Sequence, residues 1–138
     1  MFRGKRMKKI FFIAFILFLM CGCQSKDKEP LVFSGKSDNW TVEEVVKRGS
    51  QEVPNEPKTI KLHYIGKDIK SVGEFSFKLE APNGQWGIST IELNKEGKFT
   101  ESTKGIVSRE TLKSDKPTII LEWNDKKEEI PLKIKNQP

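Results

Sequence analysis

Phe75, Phe77, Leu79 and Ala81 alternate with Glu74, Ser76, Lys78 and Glu80. A period of two belongs to extended backbone, whose side chains point to opposite faces in turn. The run therefore predicts a half-buried strand with its phenylalanines in the core. Ile60, Leu62 and Tyr64 alternate with Lys61 and His63 in the same way. Ile119, Leu121 and Trp123 form one further face, and Ile130, Leu132 and Ile134 another. Asn124-Asp125-Lys126-Lys127 between them reads as a short hairpin loop. Pro131 points away from its apolar neighbours and cannot donate to a ladder, which predicts an edge strand. Turn signals punctuate the chain at Ser34-Gly35, Pro54-Asn55-Glu56-Pro57, Pro82-Asn83-Gly84, Asn94-Lys95-Glu96-Gly97 and Ser114-Asp115-Lys116-Pro117. About seven or eight short strands with such turns predict an all-β, antiparallel sandwich. Its core is expected to include Ile60, Leu62, Phe75, Phe77, Leu79, Leu121, Trp123, Ile130 and Leu132. Residues 41–47 fit two patterns. Thr41 and Glu44 have capping-box spacing, with Val42, Val45 and Val46 on one helical face. Trp40, Val42 and the β-branched enrichment favour a strand.

The N-terminus has a different grammar. Arg3, Lys5, Arg6, Lys8 and Lys9 precede an uncharged run from Ile10 to Met20. A basic segment, a short apolar one and small residues after it make a secretory signal. Eleven residues of helix span about 16 Å, roughly half a hydrocarbon core, so a permanent span is not expected. Met20-Cys21-Gly22-Cys23 then resembles the lipobox of bacterial lipoproteins. The resemblance implies that the Cys23 thiol receives a diacylglyceryl group and that a peptidase cuts between Gly22 and Cys23. A thiol suits the thioether, and Gly22 is small enough to enter a protease. Cys21 is the rival acceptor, but bulky Met20 precedes it, so it leaves with the signal. Met20 departs from the leucine usual three places before the lipidated cysteine. An ordinary signal peptide or an N-terminal anchor helix is the alternative reading. Two acyl chains give stable anchoring where one chain binds only marginally.

This organisation divides the chain into a lipoprotein signal peptide (1–22), a lipidated cysteine with a flexible tether (23–30) and a single sandwich domain (31–138). The signal holds five of the 25 basic residues and none of the 19 acidic ones, leaving 20 against 19. The basic pI of the whole chain is thus the signal's property, and no nucleic-acid partner is expected. With Cys23 acylated and Cys21 removed, no thiol remains for a disulfide, a thiolate metal site or a nucleophile.

The mature chain resembles small immunoglobulin-like lipoproteins of Gram-positive bacteria, especially Bacillus-type ones. Phe33-Ser34-Gly35-Lys36-Ser37-Asp38-Asn39-Trp40-Thr41-Val42 carries the likeness, with Ile120-Leu121-Glu122-Trp123-Asn124-Asp125-Lys126-Lys127-Glu128 near the end. It covers residues 31–135. That group is largely of unknown function, so the resemblance implies a fold and an address on the outer face of the cell membrane.

Catalytic signatures are missing from the sequence. His63, the one histidine, shares a strand face with Lys61 and reads as a surface residue. No HExxH, Walker or GxSxG motif occurs, and neither a metal nor a cofactor is expected. Glu128 and Glu129 are adjacent, hence on opposite strand faces, and the other acids are scattered. A non-catalytic protein that binds a protein or envelope component is therefore expected. The alternative is a cell-envelope hydrolase, which needs carboxylates converging in a cleft. Trp40 and Trp123 lie in strand patterns and read as core. Trp86 follows Asn83, Gly84 and Gln85 on a turn, and indole beside amides makes Asn83, Gln85 and Trp86 a possible binding surface. That reading expects an exposed indole at the end of the sandwich away from the tether. The rival reading starts the next strand at Trp86 and packs its ring over the sandwich end.

Overall fold

In the strand Phe75–Ala81 the alternation decides the outcome: Phe75, Phe77 and Leu79 are buried, while Lys78 and Glu80 are exposed. The computed structural model describes residues 29–47 and 55–135. The signal, Gly22, Cys23 and most of the tether lie outside the described residues. Among the described residues, nine strands run in chain order: β1 (Leu31–Lys36), β2 (Trp40–Val46), β3 (Asn55–Tyr64), β4 (Phe75–Ala81), β5 (Gly84–Ile91), β6 (Lys98–Ile106), β7 (Thr118–Trp123), β8 (Lys126–Pro131) and β9 (Lys133–Ile134). A 3-10 turn, Ile69–Ser71, connects β3 to β4, and Asp68 caps it by accepting from the Lys70 N–H. The strands form two antiparallel sheets, β6-β3-β2-β1-β9 and β5-β4-β7-β8. The described residues are all-β, as their period of two requires, and residues 41–46 are strand.

All nine expected core residues are buried between the sheets. Trp40 is fully buried at the centre of an aromatic cluster, with ring centroids 5.2 Å from Tyr64, 5.3 Å from Phe75 and 5.4 Å from Trp123. Two of these contacts are edge-on, the arrangement that the ring quadrupoles favour. Trp123 is likewise core.

The C-terminal strand departs from expectation. Ile130, Leu132 and Ile134 do not share one strand, because β8 ends at Pro131 and the chain changes sheets. The Leu132 N–H donates to Pro117 O at 2.8 Å, and Ile134 then pairs with Phe33 of β1 in the other sheet. Pro131 supplies no donor there, and it is exposed on the edge strand β8, where proline is tolerated. The crossing chain passes over Gly35, where a Cβ would lie 2.7 Å from both Leu132 Cδ2 and Pro131 O. The β7–β8 turn is tighter than expected. Asn124 and Asp125 alone form it, with φ of 48° and 62°, while Lys126 and Lys127 already belong to β8. Positive φ at both positions is the geometry of a two-residue hairpin turn.

The register defines two ends. Leu31 pairs with Val46, Val46 with Lys58, and Asn55 with Ile106. The start of β1 therefore shares one end with the Ala81–Gly84 turn and the loop 107–117, since the Ser108 N–H donates to Asn83 O. At the far end, Glu128 of β8 accepts from Ser37 Oγ at 2.5 Å and Asn39 Nδ2 at 2.6 Å, tying the sheets together.

Candidate functional site

Inward parity in β2 falls on Trp40, Val42, Glu44 and Val46, and in β3 on Glu56, Lys58, Ile60, Leu62 and Tyr64. The same alternation that buries the apolar residues thus carries two carboxyls and an ammonium into the interior at the tether end. They are 2%, 4% and 4% exposed, for Glu44, Glu56 and Lys58 in turn. Burial at this level demands partners. Glu56 Oε2 accepts from the Thr111 N–H at 2.9 Å, and its Oε1 accepts from the Thr111 hydroxyl at 2.5 Å. Lys58 Nζ stands 3.8 Å from Glu56 Oε1. Its stem lies over Gly105, where a Cβ would touch Lys58 Cδ and Cε at 3.4 Å.

The loop 107–117 closes this end. Asn83 Nδ2 donates to Thr111 Oγ1 at 2.9 Å and to Arg109 O at 2.8 Å. Arg109 forks onto both oxygens of Asp115, at 2.9 and 3.1 Å, and Asp115 also accepts from the Leu112 N–H. Burial alone raises the Asp115 pKa, but the Arg109 fork and the Leu112 N–H outweigh it and hold the carboxyl below its usual range.

Glu44 is the least compensated of the three. Burial pushes its pKa up to about 7; Lys58 opposes the rise, Glu56 adds to it, and the Trp86 indole opposes it. Its Oε2 and the indole Nε1 of Trp86 are both buried without a well-formed hydrogen bond. The site is a closed end cap in which Lys58 offsets Glu56 and burial holds Glu44 toward its neutral form. Two carboxylates converge near an ammonium, contrary to the expectation that the acids are scattered. They are covered by protein, whereas glycoside chemistry needs carboxylates that flank an accessible bond.

The expected Asn83-Gln85-Trp86 surface is not assembled. Asn83 is 2% exposed and spends its amide on Thr111 and Arg109. Trp86 is half-buried in β5, opposite Leu79, with its ring edge-on to Phe77 at 5.2 Å. Only Gln85 is exposed. The turn also lies at the tether end, not away from it, because Asn83 is bonded to the loop that covers Glu56. His63 is half-buried beside exposed Lys61 on the outer face of the first sheet. No group of three or more metal-ligating side chains occurs among the described residues.

Sequence reasoning missed Glu44, Glu56 and Lys58, although parity could have found them. Glu44 sits two residues from inward Val42 and Val46, and Lys58 and Glu56 lie two and four residues before inward Ile60, so all three share the parity of the core. Replacing Asn83 by alanine should cost about 1–3 kcal/mol, since it removes the amide that donates to both the Arg109 carbonyl and the buried Thr111 hydroxyl. A urea melt would show this as a lower midpoint with an unchanged slope.

Fold and interior together define an antiparallel two-sheet sandwich closed at one end by a buried charged cluster. No protein-family profile matches the chain, and neither the curated proteins nor the solved structures contain a match.

Proposed function

We propose that this chain is an acyl-anchored, extracytoplasmic lipoprotein of the cell membrane, non-catalytic, that binds a protein or an envelope component. The observation that carries the reading is Met20-Cys21-Gly22-Cys23 behind a basic and then apolar leader. The sandwich supports it in two ways. β1 begins at Leu31, so Cys23 is joined to the domain by a short tether. The buried carboxyl of Glu56 is committed to holding the end loop, a structural use of a group that an enzyme would keep accessible.

The finer resemblance, to immunoglobulin-like lipoproteins of Gram-positive bacteria, is part of this proposal. Immunoglobulin-like domains share the sandwich architecture without always sharing its topology. Here β2 and β3 are paired neighbours, whereas the constant-type order places its second and third strands in opposite sheets.

Metabolic labelling with an alkyne fatty acid tests the anchor. The wild-type chain and Cys21→Ser should incorporate label, and Cys23→Ser should lose it and accumulate as the unprocessed precursor. Label retained on Cys23→Ser would sink the proposal.

A further inference from the structure

Ile106 is 75% exposed and Leu112 45%, and both lie at the end of the sandwich where β1 starts. Among the described residues, Ile65 is also exposed, but it lies at the far end, its N–H donating to Asn39 O. Leu112 is not exposed by slack in its loop. Its N–H donates to Asp115 Oδ2 at 2.9 Å, its carbonyl accepts from the Asp115 N–H at 3.0 Å, and Arg109 clamps the same carboxylate. Thr111 beside it is pinned to Glu56. The fold therefore holds an apolar side chain outward on a braced turn, and Lys113 and Ser114 complete the exposed tip.

The surrounding charge has one dominant sign. Lys47, Lys104, Lys113 and Lys116 are exposed at this end, against exposed Glu29 and Glu80 and half-buried Glu110. The acids Glu56 and Asp115 face inward and are paired. Exposed apolar side chains with lysines beside them, Lys104 two places before Ile106 and Lys113 next to Leu112, match an anionic lipid surface, where lysines meet head groups and apolar tips enter the interface.

We propose that the tether end of the sandwich is a membrane-contacting surface, with Leu112 and Ile106 entering the head-group region of an anionic bilayer. This rests on the acyl-anchor reading of Cys23. The eight residues from Cys23 to Pro30 reach about 27 Å when fully extended, which brings this end of the domain to the bilayer first. The far end, one strand length away, faces outward and stays free for a partner.

The test uses the acylated mature protein, which has no free thiol, carrying a single added cysteine labelled with the solvatochromic dye NBD. Leu112→Cys and Ile106→Cys report on the proposed surface, and Lys95→Cys reports on the far end. In vesicles containing phosphatidylglycerol, the dye at 112 and 106 should brighten severalfold, shift to the blue and be quenched by spin-labelled lipid. The dye at 95 should not change. Lys113→Glu combined with Lys116→Glu should lose the response at 112 while the protein still sediments with vesicles. Co-sedimentation with position 112 as wet as position 95 overturns the surface and leaves the anchor standing. Failure to co-sediment overturns the anchor, and this orientation with it. An equal response in purely zwitterionic vesicles overturns the anionic assignment. A response that grows with protein concentration without vesicles assigns the patch to a second copy of the chain.

Discussion

Glu56→Ala is expected to remove about 3–5 kcal/mol of folding stability, a large share of what a single domain possesses. The carboxylate is the ammonium's neighbour at 3.8 Å and the acceptor for both the N–H and the hydroxyl of Thr111. Its loss leaves Lys58 charged in an interior where it is 4% exposed, and removes the carboxylate acceptor of the buried Thr111 N–H. Adding Lys58→Met should recover much of that loss, because a methionine stem fills the same channel over Gly105 without a charge to solvate. Urea unfolding of the two single variants and the double variant measures the coupling directly. A cost below about 1 kcal/mol for Glu56→Ala would mean that the cluster is hydrated and not a closed cap.

The second large effect depends on pH. Glu44 is raised from 4.5 to about 7 in the folded protein, so the fold holds its proton where the unfolded chain has released it. Stability from this group is therefore fully present below pH 4.5 and declines as pH rises toward 7. By pH 8 the decline amounts to roughly 3 kcal/mol. The groups facing it are Lys58 and Glu56 from β3 and the Trp86 indole from β5. Asp115 acts with the opposite sign, since its lowered pKa loses stability only as pH falls below the usual carboxylate range, outside this window. Glu44→Gln should flatten the curve between pH 4.5 and 8 and exceed the wild type at pH 8. A wild-type curve already flat over that range would contradict the buried, unpaired carboxyl.

The sheets were legible because water and core impose alternation on every half-buried strand. Phe75 to Ala81 and Ile119 to Trp123 could be placed from parity alone. Residues 41–46 needed the β-branched bias as well, since Thr41 and Glu44 also suited a helix start. The switch of sheets after Pro131 was not legible. Local parity continues unbroken through Leu132 to Ile134, and what separates them is a contact with Pro117 and Phe33, distant in sequence. The same distance hid the role of Asn83. An asparagine before glycine reads as a turn, but its amide is set by Thr111, 28 positions away. Glu44 and Lys58 were hidden for another reason. Charge suggests the solvent face, and only the parity of Trp40 and Ile60 shows that these strands turn it inward.

β1 lies inside the first sheet, with six residue pairs to β2 on one side and two to β9 on the other. The rungs between antiparallel strands run across the strand axis. Tension on the chain ahead of Leu31 is directed along β1, so it loads those rungs side by side in shear. An edge strand such as β8, gripped from the outside, would instead open one rung at a time, like a zip. The sandwich is thus mechanically strongest along the direction in which its N-terminal side is pulled.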